Sequence, residues 1–219
     1  MSERGAYMAN QTKKGMNLPN KLTVLRICLV PIFIVVMMLP ASVLDPIISG
    51  LIGVAIFIVA SLTDMLDGKI ARKYGLVTDF GKLMDPLADK FMVIGALTVI
   101  LYRAETHALR LFYTLILLVV VFRELGVSAL RLVASASSGA VVAANMLGKI
   151  KTVTQIIFVS TVFIEPAIYA IPALKDLLPE WWMNNVPLSY VTGALTLLFT
   201  VWSGINYFIG MWKYLDPEK

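Results

Sequence analysis

Apolar residues gather along this chain into six long runs, roughly Leu22 to Leu39, Ile47 to Thr63, Leu83 to Tyr102, Leu109 to Leu130, Ile150 to Ile171 and Leu188 to Trp212. Each approaches the about 20 apolar residues that a helix needs to cross the hydrocarbon core of a bilayer. The runs show no sustained alternation of polar and apolar positions, and Pro, Gly and Asn close them. They predict helices rather than barrel strands, whose signature is roughly ten-residue segments of alternating polarity. The expected fold is therefore all-α, an integral membrane protein with six transmembrane helices. Composition agrees: 58% of the 219 residues are hydrophobic and 15% are charged, which is too apolar for one soluble domain.

Residues 1–17 are polar and aperiodic, a natural tail or an expression remnant, and residues 18–219 are expected to form a single six-helix membrane catalytic domain without internal repeats. The first apolar run contains Pro31 and is followed by no small-residue cleavage site, so it predicts a retained, kinked helix rather than a signal peptide. Asn20 or Thr23 is available to cap its start, and Arg26 stands out as a charge one turn inside. Gly75 is the expected C-cap of the second helix, and Thr78 or Asp79 the start signal of the third. Between the fifth and sixth runs, the loop from Pro172 to Pro187 holds Trp181 and Trp182, an expected interfacial aromatic anchor.

Charge sets the expected orientation. With the N-terminus inside, Arg4, Lys13, Lys14, Lys21, Lys69, Arg72, Lys73, Lys82, Lys149, Lys151, Lys213 and Lys219 lie on the cytoplasmic side. Only Arg103, Arg110 and Lys175 lie opposite. Both termini are thus expected in the cytoplasm. The net charge of +5 follows from the same asymmetry and suits anionic headgroups of membrane lipids; no basic patch interleaved with aromatics points to nucleic acid. With Cys28 the single cysteine and His107 the single histidine, disulfides and soft-ligand metal sites are excluded.

Four aspartates interrupt this apolar background in the order Asp64-x2-Asp67-Gly68-x2-Ala71-Arg72-x8-Gly81-x3-Asp85-x3-Asp89. Spacings of three and four residues put each pair on one helical face, so two neighbouring helices can bring four carboxylates together. Carboxylates that close repel, and one or two hard divalent cations, magnesium, manganese or calcium, would relieve the repulsion. A lone Asp at the end of a span is a commonplace of the membrane surface, but four in register mark a functional site. A carboxylate-lined cation transporter is the competing class. Such sites usually lie near the bilayer midplane within an inverted repeat, whereas these aspartates lie towards one surface and no repeat is visible.

The motif matches every fixed position of the CDP-alcohol phosphotransferase signature, and the chain resembles that family. The resemblance implies a membrane enzyme of the bacterial cytoplasmic membrane that moves a phosphatidyl or similar group from a CDP-linked donor to an alcohol and releases CMP. It implies a divalent metal, Mg2+ or Mn2+ and as many as two ions, held by Asp64, Asp67, Asp85 and Asp89. Asp85 and Asp89 are the candidate catalytic residues, with Asp89 a ligand, a general base towards the acceptor hydroxyl, or both. Gly68, Ala71, Arg72 and Gly81, with Asp64, Asp67 and Asp85, would contact the CDP donor. Asn20, Thr23 and Arg26 are placed to meet its phosphate, although capping and snorkelling also explain them. Family members commonly form homodimers, which the resemblance extends to this chain.

A second cluster comprises Arg123, Arg131, Lys149 and Lys151 on the same membrane side. The positive-inside bias alone explains two lysines there, but Arg123 within an apolar run is expensive unless it faces a polar cavity. Four cations beside the aspartates predict an acceptor that carries its own phosphate. The segments Leu18 to Thr23, Arg123 to Arg131 and Gly148 to Thr152 are similar to those of the family branch that uses CDP-diacylglycerol and sn-glycerol 3-phosphate. Inositol phosphate fits the basic cluster about equally; serine and phosphatidylglycerol fit it less well.

Overall fold

A computed structural model describes residues 17–74, 78–138, 146–175 and 177–212. Six long helices carry the described chain: α1 (Leu18–Met38), α2 (Pro46–Tyr74), α3 (Asp79–Tyr102), α4 (His107–Ser138), α5 (Met146–Tyr169) and, after two short helices α6 (Pro172–Lys175) and α7 (Glu180–Asn185), α8 (Pro187–Met211). No strand occurs among the described residues. Among the described residues, four stretches are long and apolar enough to cross a membrane, namely Pro19–Met38, Pro46–Asp64, Met146–Tyr169 and Glu180–Met211. The other two long helices, α3 and α4, carry charged residues of both sequence clusters.

Helix α1 lies against α2 and α3, α5 against α2 and α8, and α4 against α3 and α8. Phe33, Phe57 and Phe163, from α1, α2 and α5, meet at the centre with ring centroids 6.3 and 6.1 Å from Phe33. All three are buried, with Met37, Met92, Leu97, Ile100, Ile116 and Phe158 packed around them. In lipid such contacts stabilise through close packing rather than through expulsion of water, so small residues where helices touch matter. Gly193 of α8 is the clearest case. A Cβ there would stand 2.6 Å from the Phe112 ring of α4, so any side chain would force that ring to move.

One helix start differs from expectation and the next agrees with it. Asn17, not Asn20 or Thr23, caps α1: its side-chain oxygen accepts from the Asn20 N–H at 3.1 Å, and proline in the first turn leaves fewer amides to satisfy. Thr78 caps α3, accepting from the Gly81 N–H at 3.0 Å, so α3 begins at Asp79. Pro31 lies inside α1 as expected, and α2 continues past its apolar part to Tyr74. Gly75 and residues 1–16 lie outside the described residues. Trp181 and Trp182 form an edge-to-face pair on α7, ring centroids 5.5 Å apart, with Trp181 exposed.

On the side of the molecule away from the aspartates, Glu165 of α5 is fully buried beneath the start of α8. Its carboxylate accepts from the backbone N–H groups of Leu188 at 3.0 Å and Ser189 at 2.9 Å, from the Ser189 hydroxyl, and from the Tyr169 hydroxyl. A negative group at a helix N-terminus satisfies amides that have no partner within the helix. Glu165→Ala would leave those donors buried and unpaired, at about 1–3 kcal/mol for each group. The variant is expected to melt well below wild type in detergent, with Glu165→Gln intermediate because an amide oxygen still accepts. Equal melting temperatures for the three proteins would contradict this role.

Candidate active site

Asp64 comes from α2, and Asp85 and Asp89 from one face of α3. Each of the first two is held by α1. Arg26 is only 1% exposed; its Nη1 lies 2.7 Å from Asp64 Oδ1, and its Nε donates to the Ala60 carbonyl at 3.3 Å. Thr23, equally buried, donates to Asp85 Oδ1. Asn20 Oδ1 accepts from the Thr78 hydroxyl at 2.9 Å and so ties the start of α1 to the start of α3. Asn20, Thr23 and Arg26, expected near donor phosphate, thus all sit at this end of the bundle, two of them bonded directly to motif aspartates.

Gly81 packs into the same corner. A Cβ there would lie 3.2 Å from Asn20 Oδ1 and 3.6 Å from Asp85 Oδ2, so glycine keeps room between the two oxygens. The side chains of Asp67, Ala71 and Arg72, together with Gly68, lie outside the described residues, although the helical backbone of α2 runs through these positions. Among the described residues no three carboxylates close into a metal-holding group. Asp64, Asp85 and Asp89 supply only oxygen donors, and that chemistry is the one a hard divalent cation requires.

The basic cluster forms around α4, α5 and α8. Lys151 of α5, 4% exposed, donates to Glu124 of α4, and Arg123 Nη1 donates to the same oxygen at 3.2 Å. Arg123 Nη2 donates to the Ser203 hydroxyl of α8 at 2.7 Å. Arg131 Nη2 donates to the Tyr207 hydroxyl. Lys149 is exposed. The structure therefore gathers Arg123, Arg131 and Lys151 into one network with Glu124, Ser203 and Tyr207, and leaves Lys149 at its rim. Glu124 is adjacent to Arg123 in the sequence, whereas sequence reasoning passed over Ser203 and Tyr207. Their signal was a polar stripe, Ser189, Thr196, Thr200, Ser203 and Tyr207, at helical spacing along the otherwise apolar α8, all buried.

Asp89 lies one helical turn beyond Asp85 on α3, and its carboxylate feels the charges of Asp64, Lys151, Glu124 and Arg26, which belong to both clusters.

Comparison with known proteins agrees with that layout. The profile described as CDP-alcohol phosphatidyltransferase matches residues 16–202, which takes in the motif aspartates and Arg123, Arg131, Lys149 and Lys151 and stops just before Ser203 on α8. The chain belongs to the CDP-alcohol phosphatidyltransferase family. Among similar family members, a CDP-diacylglycerol–glycerol-3-phosphate 3-phosphatidyltransferase of Bacillus subtilis is 41% identical over 210 residues, covering 93% of this chain and 99% of the relative. Proteins of the same name from Haemophilus influenzae and Salmonella paratyphi A are 34% and 33% identical, covering 87% of this chain and 91% and 92% of theirs.

Proposed function

We propose that this enzyme transfers the phosphatidyl group of CDP-diacylglycerol to sn-glycerol 3-phosphate, giving phosphatidylglycerophosphate and CMP in phospholipid synthesis. The observation that carries the reading is the pair of clusters at one end of the bundle, an all-oxygen donor set held by Arg26 and Thr23 and a basic network of Arg123, Arg131 and Lys151 suited to a phosphorylated acceptor, with Asp89 within reach of charges from both. The names of the full-length relatives favour the same pair of substrates.

In the transfer, a hydroxyl oxygen of the acceptor attacks the β-phosphorus of the donor, the bond to the bridging oxygen breaks, and CMP leaves with that electron pair. Asp64, Asp67, Asp85 and Asp89 would hold Mg2+ or Mn2+, and the space that Gly81 preserves beside Asp85 fits such a ligand set. When bound, the cation supplies neutralisation of the negative charge that builds on phosphoryl oxygens. Thr23 and Arg26 fix the Asp85 and Asp64 side chains before substrate arrives. Arg72, with Gly68 and Ala71, would meet the donor diphosphate. Asp89 takes the proton from the attacking hydroxyl, while Arg123, Arg131, Lys149 and Lys151 hold the acceptor phosphate through charge-assisted bonds.

Six spans with cytoplasmic termini complete the reading. Both clusters then open where the acyl tails of the donor remain in lipid and its nucleotide reaches water, and the protein would work as a homodimer. A variant lacking Cys28 and carrying single cysteines should label from outside at position 184 and only from inside at position 82; external labelling at Lys82 would reverse the topology. The function itself is tested with purified protein by CMP release from CDP-diacylglycerol across glycerol 3-phosphate, inositol phosphate, serine and phosphatidylglycerol. Faster turnover with any acceptor other than glycerol 3-phosphate would replace the proposed substrate and leave the family chemistry in place.

A further inference from the structure

We propose that Tyr207 is a positioning residue for the acceptor phosphate, holding the guanidinium groups of Arg123 and Arg131 as a preformed pair. This rests on the acceptor reading above. The Tyr207 ring lies 5.6 Å from the Arg123 Cζ and 5.0 Å from the Arg131 Cζ, within the range at which an aromatic face attracts a cation. Its hydroxyl accepts from Arg131, and Ser203, one turn earlier on α8, accepts from Arg123. Both α8 residues are buried, Ser203 at 0% and Tyr207 at 5% exposure.

Two guanidinium groups that share one ring repel each other when no anion is present. The ring face and the two hydroxyl oxygens offset that repulsion and fix where the charges point. Glu124 takes up the ion pairs of Lys151 and Arg123, while Arg131 bonds the Tyr207 hydroxyl. The two guanidinium groups on the Tyr207 ring thus offer paired positive charge to a phosphomonoester, which carries about −1.5 to −2 near neutral pH. Among the described residues, Arg123 also keeps a buried Nε without a hydrogen-bond partner.

A tyrosine that only pinned α4 to α8 would affect stability, whereas a positioning tyrosine acts on acceptor affinity. Steady-state CMP release by Tyr207→Phe, Tyr207→Leu and Ser203→Ala separates the two roles. Tyr207→Leu is expected to raise the KM for glycerol 3-phosphate roughly tenfold or more, and Tyr207→Phe by less because the ring remains. The KM for CDP-diacylglycerol and kcat at saturating acceptor should change little. Ser203→Ala should raise the acceptor KM as well, and it decides the matter together with Tyr207→Phe if Tyr207→Leu does not fold. Unchanged acceptor KM in the folded variants, or a parallel rise in both KM values, would overturn the assignment of Tyr207. Wild-type protein that releases no CMP with glycerol 3-phosphate would remove the proposed function and this inference together.

Discussion

Asp64→Asn, Asp67→Asn and Asp85→Asn are each expected to abolish CMP release, and an excess of chelator should do the same to the wild-type protein. The amide keeps the size of the carboxylate and removes the charge that would hold a divalent cation. Loss of several kcal/mol of transition-state stabilisation corresponds to a rate loss on the order of a thousandfold or more. The three variants should differ in stability. Asp64 is the ion-pair partner of the buried Arg26, so Asp64→Asn leaves a cation short of its counter-charge and should melt lowest. Asp85 accepts only from the neutral Thr23 in the described structure, and an amide oxygen can still do so. Wild-type turnover in chelator, or in the Asp67→Asn protein, would eliminate the metal-dependent mechanism.

Arg123→Ala should lower kcat/KM for glycerol 3-phosphate by on the order of ten- to a hundredfold or more, because each charge-assisted contact to a phosphate contributes about 1.5–3 kcal/mol. Lys149→Ala is expected to act in the same direction and less strongly. The structure supplies the reason for the difference: Arg123 is largely buried and held by Glu124 and Ser203, while Lys149 is exposed at the rim, where solvent screens it. Donor KM should stay near wild type in both. Kinetics with glycerol 3-phosphate that match wild type in both variants would refute the acceptor site without touching the assignment to the family.

Hydrophobic periodicity made the helices legible, because in lipid each backbone polar group must be satisfied within its own segment and a long apolar run has few other options. The ends were harder to read. Asn20 and Thr23 look like caps in isolation, but Asn17 can accept the first free amide, which releases the other two to bond Thr78 and Asp85 across the bundle. The motif aspartates were visible because carboxylates are rare in such a background. What spacing could not reveal was their pairing. Arg26 is thirty-eight positions from Asp64, and only the packing of α1 on α2 makes it a partner rather than a snorkelling cation. The acceptor side was half legible for the same reason. Arginine in an apolar run announces itself, whereas Ser203 and Tyr207 are tolerated in any membrane helix, and their role emerges only when α8 lies beside α4.

The division of the site between early and late helices has a consequence for biosynthesis. Asp64, Asp85, Asp89 and the α1 residues that hold two of them all precede Arg103, whereas Ser203 and Tyr207 lie on α8, the last long helix described. A nascent chain therefore possesses the aspartate cluster well before the ribosome has made the residues that brace Arg123 and Arg131. On the proposed reading, the growing protein then has its donor-side carboxylates but no ordered seat for a phosphorylated alcohol, so productive turnover would await insertion of α8.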